Sequence, residues 1–296
     1  MAFFKPARVF IVACLLFFAT PAIATTRFDK APGSCKIIGD ADVYGPGIRY
    51  GYYLQWAAIM LATWMAPEQA KNARIATNVI TIAVFANTFR GAREGSLVAA
   101  EWWIVLWLTF FLSLHNFPAD LKRASGSGGV MLMLWSMITA AQPWLYFKGL
   151  DIGHKPNCVV KVFFFTGINV YNHVWRTIWK VGSGFECLTG FYFFVLGGAI
   201  IVRELFGQGE RSGLDNDIST WTAGRKVLMT FAQLITGITS IVQVEMTIRV
   251  NRIEFSSTTL LSSGQLIPLL IGCLTVVAAC GHGPKSLVKW LRGLSA

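Results

Sequence analysis

Phe185–Val202 reads F-E-C-L-T-G-F-Y-F-F-V-L-G-G-A-I-I-V, with one charge, Glu186, at its second position. An apolar run of this length crosses a hydrocarbon core of about 30 Å as an α-helix. Membrane β-strands would alternate apolar and polar residues over about ten positions, which this run does not do. Working outward, runs of the same kind occupy Tyr50–Ala66, Ala73–Phe89, Leu97–Leu114, Gly128–Phe147, Val227–Thr247 and Thr259–Ala279. Hydrophobic residues make up 54% of the 296-residue chain and charged residues 14%, with a mean hydropathy of +0.53. That balance is far from an ordinary soluble domain. The expected fold is all-α, a polytopic transmembrane bundle of about seven spans forming one integral domain. Ser125–Gly129 and Gly207–Gly213 read as flexible turns between spans.

The N-terminal 24 residues have the layout of a targeting segment. Lys5 and Arg8 precede an apolar stretch, Val9–Ala19, and Ala22-Ile23-Ala24 fits a small-x-small cleavage site. A cleaved signal peptide and an uncleaved first helix both leave the later spans in the same orientation. The expected division is a lumenal segment over 25–49, the bundle over 50–283 and a cytoplasmic tail over 284–296. The expected location is the endoplasmic reticulum or secretory pathway. The net charge of +11 comes from 26 basic and 15 acidic residues. In a membrane protein it points to loops rather than to nucleic acid. Basic residues fall on both faces, so the positive-inside rule does not fix the orientation. Cys35, Cys158 and Cys187 share the lumenal face, where disulfides are permitted; a Cys35–Cys158 bridge and free thiols are both open.

Polar residues interrupt the spans at one end. A chain that crosses back and forth brings Arg49, Gln55, Asn87, Glu101, Gln142, Glu186, Glu245 and Gln265 to the same membrane face. Lys71, Asp120, Arg203 and Arg225 sit at the opposite ends as ordinary loop charges. Polar side chains are costly in lipid and usually face a bundle interior, so the pattern predicts one polar pocket near one face. Asp40 and Asp42 precede the first span in a stretch dense in turn formers. They fit either a helix cap or carboxylates offered to a ligand. Glu101 lies one turn into its span, where a helix N-terminus stabilises a carboxylate. It also borders an uncharged run, and removal from water favours the protonated form of a carboxyl. Glu245 has Arg249 four residues on as a candidate ion-pair partner. Thr230, Gln233, Thr236, Gly237, Ser240, Gln243 and Thr247 form an arc on the same helix that suits pocket lining or small-residue packing. Val159–Lys180 is too basic for a span and too apolar for a free loop, and reads as an interfacial or re-entrant lid.

There is no Gly-rich phosphate loop, H-E-x-x-H, Cys-x-x-Cys or G-x-S-x-G, and the four histidines are scattered. No metal and no cofactor is expected. The runs G-D-A-D-V-Y-G-P-G-I-R-Y-G-Y-Y-L-Q at Gly39–Gln55, V-E-M-T-I-R-V-N-R-I at Val244–Ile253 and S-S-G-Q-L-I-P at Ser262–Pro268, with E-W-W at Glu101, resemble fungal multi-pass membrane proteins. Among these they resemble the ascochlorin-type membrane-bound terpene cyclases. The resemblance implies an isomerase of meroterpenoid secondary metabolism that cyclises a prenylated aromatic, often epoxidised, after protonation and without a cofactor. Its partners would be a lipophilic small molecule, membrane lipid and other enzymes of the same pathway. Glu101 is the leading candidate acid, followed by Asp40, Asp42 and Glu245. Arg49, Gln55, Asn87, Gln142, Glu186 and Gln265 are candidates for substrate binding. A small-solute transporter or channel, and a ligand-binding membrane protein without chemistry, are the alternatives.

Overall fold

The computed structural model describes residues 35–66, 70–114, 126–151, 158–206, 223–255 and 262–294. The targeting segment and the Gly207–Gly213 turn lie outside them. A short strand β1 (Ile38–Gly39) leads to a one-turn helix α1 (Ala41–Tyr44), then to α2 (Pro46–Met65) and α3 (Ala70–Arg93). Next comes α4 (Ala99–Leu106), which runs on as a π-helical segment, Trp107–Phe111. After α5 (Gly126–Phe147) come a hairpin of β2 (Lys161–Phe164) and β3 (Thr166–Asn169), then α6 (His173–Leu205). The chain ends with α7 (Ala223–Val250), β4 (Glu254–Phe255) and α8 (Ser263–Leu294). The fold is an all-α bundle, with two small two-stranded sheets among the described residues.

All of α4 is buried, as expected of a helix that is apolar on every side. α1, α3 and α7 pack against it, and the Trp102–Gln142 and Trp103–Trp179 contacts bring α5 and α6 to it. α5 and α6 pack along their length, and Gly190 makes this possible. A Cβ there would lie 2.6 Å from the Thr139 hydroxyl and 3.0 Å from the Ala140 amide. Small residues at such contacts let helix backbones approach in lipid. α2 and α8 approach in the same way, since a Cβ on Gly47 would lie 2.2 Å from the Gln265 carbonyl oxygen.

Among the described residues, four helices are long and apolar enough to cross a membrane: Gly126–Phe147, His173–Leu205, Lys226–Val250 and Ser263–Gly281. The last three turn large apolar side chains outward, including Phe185, Leu188, Phe191, Phe231 and Leu274. An apolar surface of that extent needs lipid against it. The sequence predicts seven spans, and helices do occupy all seven places, but three fall short of this standard. α2 and α3 are 20 and 24 residues long but are not among the helices apolar enough to cross a membrane by length and composition. The α4 segment is shorter, with eight α-helical residues followed by five of π-helix.

Other boundaries also differ from expectation. Ser125–Gly129 is largely helix, because Gly126 to Gly129 form the first turn of α5. The Val159–Lys180 segment is not a single lid. Its first part is the β2–β3 hairpin, whose tip, Phe165, has a φ of 59°. Its second part is the opening of α6, where the Asn172 side chain accepts from the Val174 and Trp175 amides. α8 continues through Leu294, so most of the expected 284–296 tail is helical.

Two ties hold the segment before α1 against the bundle. Cys35 and Cys158 form a disulfide. β1 pairs in parallel with β4, Ile38 opposite Glu254 and Gly39 opposite Phe255. Together they set Asp40 and α1 over the start of α4.

Candidate functional site

Glu101 sits where these constraints meet. It is the third residue of α4, and its Oε2 accepts the Val98 amide at 2.9 Å, capping the helix. Its Oε1 accepts the Tyr44 hydroxyl at 2.8 Å and the Asp40 amide at 3.4 Å. Glu101 and Tyr44 are both fully buried. One carboxyl therefore joins the start of α4 to both ends of α1.

The remaining acids lie on either side. Asp40 caps α1, its Oδ1 accepting the Asp42 amide at 2.9 Å. Asp42 is exposed, and its carbonyl accepts from Asn87 Nδ2 at 3.3 Å. Glu245 is not held by Arg249, four residues on. Its Oε2 accepts from Arg49 Nη1 at 2.9 Å and its Oε1 accepts the Tyr53 hydroxyl at 2.9 Å. The Arg49 side chain is only 6% exposed, against 40% for Glu245, so it is the buried cation that depends on the pair.

A ring joins the two acid centres. The Arg49 guanidinium lies 5.6 Å from the Phe255 ring centre, and Phe255 meets the Tyr44 ring edge-on at 5.5 Å. Gln265 closes the assembly from α8. Its Oε1 accepts the Gly47 amide at 2.8 Å and its Nε2 donates to the Ala41 carbonyl. Asp40, Asp42, Arg49, Asn87, Glu101, Glu245 and Gln265 thus form one linked cluster where α2, α4 and α8 begin and α3 and α7 end.

The other predicted residues lie outside this cluster. Gln55 Oε1 accepts from the Thr77 hydroxyl at 2.6 Å, between α2 and α3. Gln142 Oε1 accepts from Trp102 Nε1 at 3.4 Å, on another side of α4. Glu186 lies on α6 within electrostatic reach of Tyr146. The polar arc on α7 divides. Its first part packs on α2, where the Gln233 carbonyl accepts from Trp56 and the Thr230 hydroxyl from Trp64. Its second part, Ser240, Gln243 and Thr247, is buried in the bundle.

Sequence reasoning missed Tyr44 and Tyr53, which carry the hydroxyls facing Glu101 and Glu245. Among the described residues no three His, Cys, Asp or Glu side chains gather as a metal site would require. The arrangement can hold or pass a proton between buried oxygens, and it places aromatic rings beside the acid.

Fold and site together define a polytopic helical membrane protein with a cluster of acidic and polar side chains, centred on the buried Glu101, at one end of its bundle. Compared with protein-family models, curated proteins and solved structures, the chain matches none of them.

Proposed function

We propose that this protein is a membrane-bound, cofactor-independent terpene cyclase of fungal meroterpenoid metabolism, acting on a lipophilic prenylated aromatic. The observation that carries the reading is Glu101, a wholly buried carboxyl with the Tyr44 hydroxyl at 2.8 Å. The resemblance of Gly39–Gln55, Val244–Ile253 and Ser262–Pro268 to ascochlorin-type cyclases supports the same reading. In the proposed reaction Glu101 gives its proton to an epoxide oxygen as the carbon–oxygen bond breaks. A neighbouring olefin then attacks the electron-poor carbon and closes the ring. The resulting cation loses a proton to the Glu101 carboxylate, so product and substrate are isomers. Ring faces such as those of Tyr44, Trp102 and Phe255 suit the passing cation. General acid catalysis needs a positioned acid of this type, and a bilayer dissolves the substrate. The protein would work in the endoplasmic reticulum beside a prenyltransferase and an epoxidase.

The test is conversion of an epoxidised prenyl phenol by microsomes containing the protein. A cyclised product of unchanged mass, absent from control microsomes, is expected. No cyclised product from any such substrate would remove the enzyme reading.

A second reading, a solute conduit, draws on the Tyr52–Thr81, Gln55–Thr77 and Asn78–Ser127 bonds, which carry polar groups further along α2 and α3. The sequence gathers its polar interruptions, Gln55 among them, at one side, and these bonds add polar groups beyond that set. Uptake of small solutes into proteoliposomes tests that reading.

A further inference from the structure

The β2–β3 hairpin turns on a single residue. Phe164 pairs with Thr166, which leaves Phe165 alone to reverse the chain. Its φ of 59° lies in the left-handed region, which bulky side chains seldom enter. Backbone strain of this kind is held in place by the surrounding structure and tends to occur at functional segments. The Phe165 ring is 82% exposed, and it meets the Phe164 ring edge-on at 5.1 Å.

Contacts with α7 give the hairpin a direction. Lys161 exchanges two bonds with the Asn251 side chain, its amide donating to Oδ1 at 2.8 Å and its carbonyl accepting Nδ2 at 2.5 Å. The Phe163 amide donates to the Thr247 hydroxyl at 3.1 Å. From Asn251 to Thr247 is about 6 Å along a helix axis, and two residues of strand cover about 6.6 Å. β2 therefore runs beside α7 and antiparallel to it, toward the interior of the apolar segment Lys226–Val250. The same pitch brings Phe165 near the level of Gln243, two turns inside the end of that segment. Phe164 supports the tip from behind, against Trp103 at 6.4 Å and Trp175 at 5.7 Å.

α6 presents a matching surface. Its 33 residues cover about 50 Å, more than the roughly 30 Å of a hydrocarbon core, so part of it stands at the membrane surface. Val174, Ile178, Val181, Phe185 and Leu188 follow one another at helical spacing, each 59–69% exposed. An apolar line thus leads from the lipid-facing middle of α6 to its first turn, where Trp175 meets the hairpin. Cations lie nearby. Lys161 at the base of β2 and Lys148 are exposed, and the Lys180 ammonium lies 5.2 Å from the Phe147 ring centre. Asp151 is taken by Arg176 at 2.6 Å, and among the described residues no carboxylate pairs with any of these three lysines.

We propose that the β2–β3 hairpin is a wedge inserted into the bilayer on the face that carries the Glu101 cluster. Phe165 sits below the phosphates with phospholipid acyl chain against its ring, and Lys148, Lys161 and Lys180 extend to the phosphate oxygens. An apolar tip with a cationic base matches the two chemistries of a phospholipid, and long lysine stems reach headgroups from such positions. The paired strands let backbone enter the interface with its N–H and C=O groups bonded. This seating is independent of any cyclisation chemistry, and a protein that makes no cyclised product would still show it.

The experiment measures depth by electron paramagnetic resonance of the full chain in phospholipid nanodiscs. A nitroxide is attached through Phe165→Cys, or through Lys161→Cys at the base of the same hairpin, in a chain carrying Cys14→Ala, Cys187→Ala, Cys273→Ala and Cys280→Ala. The label at 165 should lie roughly 5–10 Å below the phosphates, the depth of interfacial apolar groups, and relax with oxygen more than with a water-soluble nickel chelate. The label at 161 should lie at or above the phosphates. A label at 165 as open to the nickel chelate as the one at 161 would overturn the proposal. Wild-type protein supplies a second measurement that needs no substitution. A phospholipid with a diazirine on its acyl chain should label residues 163–166, while a water-soluble carbene reagent should spare them and label Lys36, which is 43% exposed. Labelling of the tip by the aqueous reagent and not by lipid would overturn the proposal, as would crosslinks from the tip to a second copy of the chain in place of lipid.

Discussion

The Tyr44 hydroxyl donates to Glu101 at 2.8 Å with both side chains fully buried, and this contact locks α1 onto α4. Tyr44→Phe keeps the edge-to-face contact with Phe255 and removes only the hydroxyl. A hydrogen bond between neutral groups contributes about 0.5–1.5 kcal/mol, so the variant should unfold a few degrees lower in detergent. Thermal unfolding that matches wild type would show that the bond contributes little.

Arg49 and Glu245 should behave asymmetrically. Arg49→Ala leaves Glu245, which is 40% exposed, free to meet solvent, whereas Glu245→Ala strands a buried cation. Breaking a buried pair typically costs about 3–5 kcal/mol, and the exposure of Glu245 puts this pair toward or below the lower end. Glu245→Gln retains an acceptor for Arg49 and should cost less than Glu245→Ala. Chemical denaturation of the three variants checks the order, and equal losses from Gln and Ala would contradict it.

Two glycines give a sharp contrast. Gly47→Ala would drive a methyl to 2.2 Å from the Gln265 carbonyl oxygen, while a Cβ on Gly184 meets nothing within 4 Å. Gly47→Ala should therefore fail to yield monodisperse protein. Gly184→Ala should be neutral or stabilising by up to about 1 kcal/mol, since alanine is the better helix former. Size-exclusion profiles of the two variants decide it, and a well-behaved Gly47→Ala protein would contradict the packing of α2 on α8.

The Cys35–Cys158 bridge links positions 123 residues apart in sequence. Closing a loop of that size constrains the unfolded chain, and losing a native disulfide typically costs about 2–5 kcal/mol. Cys35→Ser should lower stability within that range. Maleimide labelling of the denatured wild-type protein should gain two sites on reduction. It would gain none if the pair were free thiols, which would also count against a lumenal position for this face.

Much of the cluster was legible in the sequence, because lipid makes a polar side chain inside an apolar run conspicuous. Arg49, Glu101 and Gln265 stand out for that reason, and alternating spans bring their ends together. Tyr44 and Tyr53 do not stand out, since a tyrosine in an aromatic-rich chain reads as part of an interfacial belt. The partner of Glu245 was misread because Arg249 is near in sequence, while Arg49 is brought in only by the fold. The start of α6 was hidden because His173, Arg176 and Lys180 mask its apolar character, although Asn172 is a good N-cap. The alternating pattern also could not separate Glu186 and Gln142 from the acid cluster. It places residues at a membrane depth and leaves open the side of α4 they occupy.

The central claim is that Glu101 supplies the proton that starts cyclisation. Glu101→Gln preserves the shape, with its oxygen able to accept the Val98 amide and its NH2 able to donate to the Tyr44 hydroxyl, but has no acidic proton. The measurement is the rate of cyclised product from an epoxidised prenyl phenol in microsomes, normalised to folded protein measured by size exclusion. A fall of about 10²–10⁴-fold, the usual contribution of a general acid, is expected at near-normal folded yield. Undiminished product from the Gln variant would contradict the claim and leave Glu101 as a structural cap.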